Sequence, residues 1–159
     1  MRCFLRRLLV AAALWAASAA PAGAQPREVV ATDFTVQLFM TEKGELSPDI
    51  FKLEELAVHN FTVSSKGFDG GKFSGFLLRV EFRAKGEKFA EGLQGQVLLR
   101  EVKTKKVLRT LSFSDVYVGT GGVSYRAAFV QNLDCTIMQA ELYSGGKRYT
   151  KELPFHCGE

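Results

Sequence analysis

Two imidazoles, three thiols and two internal thioethers are what this chain offers toward nucleophilic, redox or soft-metal chemistry: His59 and His156, Cys3, Cys135 and Cys157, Met40 and Met138. Imidazole and thioether donors together suit Cu(I). If His59, His156, Met40 and Met138 converged they would make a metal-ion binding or delivery site, the alternative function for the chain. Met40 and Met138 each alternate with polar neighbours, which assigns them to packing. His59 shares its alternation with Phe61 and Val63 and reads as a half-buried histidine held by a neighbour. His156 adjoins Cys157 on a C-terminal segment that reads as an edge or a frayed end.

Catalytic patterns are missing. There is no Gly-x-Ser-x-Gly elbow, no His-Glu-x-x-His pair and no Gly-x-x-x-x-Gly-Lys-Ser/Thr phosphate loop. Carboxylates are scattered: Glu54 and Glu55 lie together, while Asp115 and Asp134 sit at strand ends. No segment spaces Asp and Asn at alternate positions with a central Gly and a closing Glu, as a calcium loop requires. The reading is a protein that is not an enzyme, with no catalytic residue and no cofactor.

The N-terminus carries an address. Arg2, Arg6 and Arg7 precede an apolar run from Leu8 to Ala20, and Ala22-Gly23-Ala24 follows. A basic start, an apolar core shorter than the ~20 residues that span a bilayer and a small-x-small exit describe a cleavable signal peptide, residues 1–24. Cys3 precedes the apolar run, whereas a lipid-anchored cysteine would follow it. The alanine-rich signal favours a bacterial periplasm, where the acceptor pattern Asn60-Phe61-Thr62 has no use, and no stable membrane anchor is expected.

Cleavage also changes the charge. The whole chain has 21 Lys+Arg against 17 Asp+Glu, and three of those arginines leave with the signal, so 18 face 17 in the remaining 135 residues. That balance gives no basic surface for nucleic acid. Cys135 and Cys157 then form the one possible disulfide of an exported domain, with nothing like Cys-x-x-Cys to suggest redox work. Closing that loop would restrict the unfolded chain by about 3 kcal/mol.

Period-two alternation dominates what remains. Phe76, Leu78, Val80, Phe82 and Ala84 alternate with Leu77, Arg79, Glu81 and Arg83, giving a strand with one face in a core and one in water. Similar patterns mark Phe34 to Met40, Leu56 to Val63, Gln96 to Val102, Lys106 to Phe113, Val123 to Val130, Thr136 to Tyr143 and Arg148 to Phe155. Short strands at regular spacing predict an all-β antiparallel β-sandwich, residues 25–159, with an immunoglobulin-like layout of about seven to eight strands. Neither a core tryptophan nor a disulfide bridging the sheets accompanies that layout. Ser47 as a cap, Pro48 at the first position and Ile50, Leu53 and Ala57 at helical spacing predict one short helix from Pro48 to about Glu55.

The last two strands define a register. A two-residue turn at Gly145-Gly146 would pair Leu142 with Tyr149 and Met138 with Leu153, both on one face. The same register sets Cys135 opposite His156, so Cys157 needs a one-residue bulge near Pro154 to reach it. The last strand is therefore expected to be an edge, or irregular, at Pro154.

Two segments could hold a partner. Ser64 to Gly75 reads as a glycine-rich loop carrying Lys66, Phe68, Lys72 and Phe73, whose phenylalanines either anchor a partner or fold back onto the core end. Ser144-Gly145-Gly146-Lys147-Arg148-Tyr149 adds Arg148 and Tyr149 on the final hairpin. This short run resembles the loop that small periplasmic lysozyme inhibitors present to their target. The resemblance covers those residues alone, and the tryptophan-containing strand that follows in that family is absent. The expected function is a non-catalytic periplasmic binding or accessory module that holds another envelope protein or a small ligand through loops at one end of the sandwich.

Overall fold

The computed structural model describes residues 28–132 and 136–156. The signal segment, and Cys135 and Cys157 with the disulfide expected between them, lie outside the described residues. Along the chain run β1 (Val30–Met40), β2 (Glu45–Leu46), a 3-10 turn (Ile50–Lys52), β3 (Glu54–His59), β4 (Thr62–Lys66), β5 (Phe68–Arg83), β6 (Lys88–Glu101), β7 (Val107–Val118), β8 (Val123–Gln131), β9 (Met138–Ser144) and β10 (Lys147–Leu153). They form two antiparallel sheets. One is ordered β2-β1-β5-β4-β3 with β8 also on β5, and the other β10-β9-β6-β7. No helix among the described residues is long and apolar enough to cross a membrane.

The all-β sandwich follows from the alternation. Phe76, Leu78, Val80 and Phe82 of β5 are fully buried, and β1 pairs against them with Leu38 opposite Phe76 and Phe34 opposite Val80. Across the core, β6 and β9 supply Val97, Leu99, Met138, Ala140 and Leu142, all without exposed surface. Each strand thus turns one set of side chains into a dry layer between the sheets.

Ten strands replace the eight expected. Leu56 to Val63 is not one strand: Asn60 and Phe61 take positive φ of 46° and 58° and fold it into the β3–β4 hairpin. The short β2, paired to β1 at Phe39 and Met40, is the other addition. The expected helix at Pro48 to Glu55 shrinks to the 3-10 turn, with Leu53 already extended at ψ 133°. The reason lies in where its capping groups are used. The Ser47 hydroxyl accepts from Leu38 N at 2.8 Å and donates to Pro48 O at 2.7 Å. Asp49 caps instead, and its Oδ1 also accepts from Val36 N at 3.1 Å. Both side chains tie the turn to β1, so the segment is held across a strand end and has no length in which to wind.

The glycine-rich stretch from Ser64 to Gly75 is strand and not loop. It continues β4 to Lys66, turns at Gly67 with φ 74°, and enters β5 at Phe68. Gly70 is required there, since a Cβ on it would stand 1.9 Å from Val63 O.

The final hairpin has the expected register, with Leu142 opposite Tyr149 and Met138 opposite Leu153. Gly145 and Gly146 both take the positive φ of its turn, 55° and 76°. β10 is an edge strand, and it stops before Pro154. The chain then leaves β9. Phe155 enters the core with its ring 5.5 Å from that of Phe73 and 5.9 Å from that of Phe76. His156 forms an isolated parallel bridge with His59 of the other sheet.

This crossing makes Phe155 the anchor of the C-terminal tail. Phe155→Ala should destabilise the protein by about 3–5 kcal/mol, as for a large core aromatic. Phe89→Ala, at a position 61% exposed, should stay within about 0.5 kcal/mol. Urea unfolding of the two variants checks the contrast.

Candidate binding surface

The residues expected to hold a partner fall at opposite ends of the sandwich. The β9–β10 turn adjoins the start of β1, where Ser144 Oγ accepts from Ala31 N at 2.8 Å. The β4–β5 hairpin adjoins the end of β1, where Thr41 N donates to Lys72 O at 2.9 Å. They do not form one site.

At the β4–β5 end, Phe73 is a core residue, 3% exposed, and packs edge-on against Phe61 at 5.7 Å. It folds back and cannot serve as a surface anchor. Phe68 is half-buried beneath the Lys43 ammonium, 5.9 Å from its ring centre. Lys43 pairs with Asp69 at 2.8 Å, which holds that exposed carboxyl below its ordinary range. Lys66 lies 3.7 Å from both Glu54 and Glu55. Lys72 stays exposed. Of the two lysines expected here, Lys66 faces the chain's own carboxylates.

At the other end, Arg148 is drawn onto the outer face of the second sheet by Glu141, a residue that the sequence reading passed over. Glu141 is 4% exposed at its side chain although it lies on an outward-facing row with Gln139 and Tyr143. Its Oε1 accepts from Arg148 Nη2 at 2.7 Å and Gln139 Nε2 at 3.3 Å. Its Oε2 accepts from Tyr143 OH at 2.6 Å and Arg100 Nε at 3.2 Å. Burial pushes its pKa up, but the hydrogen bonds from Tyr143, Arg148 and Arg100 outweigh burial and hold it below the ordinary carboxylate range. Four donors thus fix this carboxylate on the sheet face. Tyr149 packs against the core. The signal in the sequence was a lone Glu flanked at i±2 by polar residues inside a strand, which reads equally as a solvated face.

The four possible soft-metal ligands do not converge either. Met40 and Met138 are buried at 1% and 0% exposure. His59 and His156 are brought side by side on adjacent strands, both exposed. Among the described residues no group of three or more His, Cys, Asp or Glu side chains could hold a metal ion.

What the sequence reading missed is an apolar row on the outer face of the first sheet. Leu46 on β2 stands opposite Phe39 on β1, and Leu77 on β5 stands opposite Phe129 on β8. The Phe39 and Phe129 rings meet edge-on at 5.9 Å, and a Cβ on Gly75 would lie 3.4 Å from Phe129 Cζ and 2.5 Å from Val130 O. Phe129 thereby covers a glycine of the neighbouring strand. Leu46 and Phe129 nonetheless remain 41% and 44% exposed. Beside them Arg79 stacks on Tyr125 with its guanidinium 5.0 Å from the ring centre. No ion pair engages Arg79 among the described residues.

A shallow crevice of roughly 460 Å³ lies between Glu28 and the Phe89–Gln94 segment of β6. The Gln94 amide on its wall already donates to Glu91 O at 2.7 Å. Comparison with known proteins adds no name to these features: no protein-family model, curated protein or solved structure matches the chain.

Two outcomes follow. Phe73→Ala should cost about 3–5 kcal/mol in urea unfolding, as a core truncation does, while Lys66→Ala should change stability by less than about 1 kcal/mol. Glu141 has a depressed pKa in the folded state, so its contribution is present above its unfolded pKa and is lost as pH falls through the folded value. Stability measured from pH 7 to pH 3 should therefore decline less steeply below about pH 5 in Glu141→Gln than in the parent.

Proposed function

We propose that this protein is a non-catalytic binding module, exported to the periplasm, which holds another envelope protein against the outer face of the β2-β1-β5-β8 sheet. The observation that supports this reading is the continuous apolar row from Leu46 through Phe39 and Leu77 to Phe129, bordered by Arg79. Contiguous apolar surface on a soluble domain marks interaction sites more often than isolated exposed side chains do. Aromatic residues and arginine carry most of the energy of protein interfaces. The row supplies both, on paired strands that need no rearrangement to receive a partner. It replaces the β4–β5 hairpin at Lys66 to Phe73 as the binding surface, because Phe73 is occupied by the core and Lys66 faces its own acidic neighbours. The partner that fits presents an apolar centre with a carboxylate at its margin facing Arg79.

A photoreactive benzoylphenylalanine installed at Leu46 or at Phe129, and activated in intact cells, should give one discrete adduct. Arg79→Glu should diminish it. Absence of any adduct from both positions, or an equal adduct from the exposed control position Phe89, would overturn the reading.

A further inference from the structure

His59 and His156 are the chain's two histidines, and the C-terminal crossing makes them direct neighbours. His156 N donates to Val58 O at 3.2 Å, and Asn60 N donates to His156 O at 3.1 Å. These two bonds flank His59 and set it directly opposite His156. Residues so paired across a parallel bridge turn their side chains to the same face, on backbones about 4.7–4.9 Å apart. Val58 beside them fills the core, so the two imidazoles stand on the outer face, and both residues are exposed. At that spacing one ring nitrogen from each histidine can reach a single ion at the usual metal–imidazole distance of about 2.0–2.1 Å.

We propose that His59 and His156 form a two-imidazole chelate for a late first-row divalent cation, with Cu²⁺ preferred. The preference follows from the donor set. Imidazole nitrogen suits copper, nickel and zinc, and affinity along that row peaks at Cu²⁺. The thioethers that would favour Cu(I) are enclosed in the core as Met40 and Met138. The pairing His59–Thr62–Lys72 continues the same row across β4 into β5. It adds a hydroxyl and an ammonium, neither a strong ligand near neutral pH. Water or a further donor would complete the coordination. This site is separate from the apolar row and stands whether or not that row holds a partner.

The test uses purified protein lacking a histidine tag, with Cu²⁺ alone added in a non-coordinating buffer and followed by calorimetry and electron paramagnetic resonance. One Cu²⁺ should bind per chain with couplings from two imidazoles, and Ni²⁺ and Zn²⁺ should bind more weakly. His59→Ala and His156→Ala should each lower the Cu²⁺ affinity by at least about tenfold, each leaving a single imidazole coupling, with unchanged circular dichroism. Unaltered affinity in either variant, or a parent spectrum with fewer than two imidazoles, would refute the chelate.

Discussion

Strand β5 serves both edges of its sheet at once, and the remainder of the architecture is arranged around that fact. On one side it pairs with β1 along most of its length. On the other it pairs with β4 near its start and with β8 from Gly75 onward. Two different strands thus lie in succession along one edge of it. The small residues at Gly70, Gly71 and Gly75 permit this, because side chains at Gly70 and Gly75 would run into the carbonyls of Val63 and Val130. Everything at the β4 end then depends on that close approach. It carries the β3–β4 hairpin over the open end of the sandwich, where Phe73, Phe61 and Phe155 close the core.

At this end the C-terminus crosses from one sheet to the other. Pro154 has no amide to continue the β9–β10 ladder, so the chain is released just where a hydrophobic slot is available for Phe155. Burial of that ring brings His156 onto β3. On the opposite margin Lys151 does comparable work: its ammonium donates to Asp33 Oδ1 at 2.7 Å and lies 4.8 Å over the rings of both Phe34 and Phe51. Lysine on an edge strand also discourages pairing with another chain.

Part of the charge on this surface is matched internally. Lys43, Lys66, Arg100, Arg148 and Lys151 each face a carboxylate of the same chain. Exposed pairs of this kind contribute little to stability. What distinguishes the surface is apolar: the row across β2, β1, β5 and β8, which no strand or loop of the described residues covers.

Alternation is a local property, since successive strand side chains point to opposite faces whatever the rest of the chain does. That is why the inner row Phe76 to Phe82, the inner row of β1, the register of the Gly145-Gly146 hairpin and the edge at Pro154 could all be read residue by residue. Local signals failed where distant groups competed for the same atoms. Ser47 looks like a helix cap until Leu38 takes its hydroxyl, and the glycines from Gly67 to Gly75 look like a loop until a neighbouring strand needs their missing side chains. Which outward side chains meet one another is likewise invisible along the chain. Glu141 gathers Arg100 and Arg148, Phe39 reaches Phe129, and His59 finds His156, because strand order joins segments far apart in sequence and no periodicity within a segment encodes it.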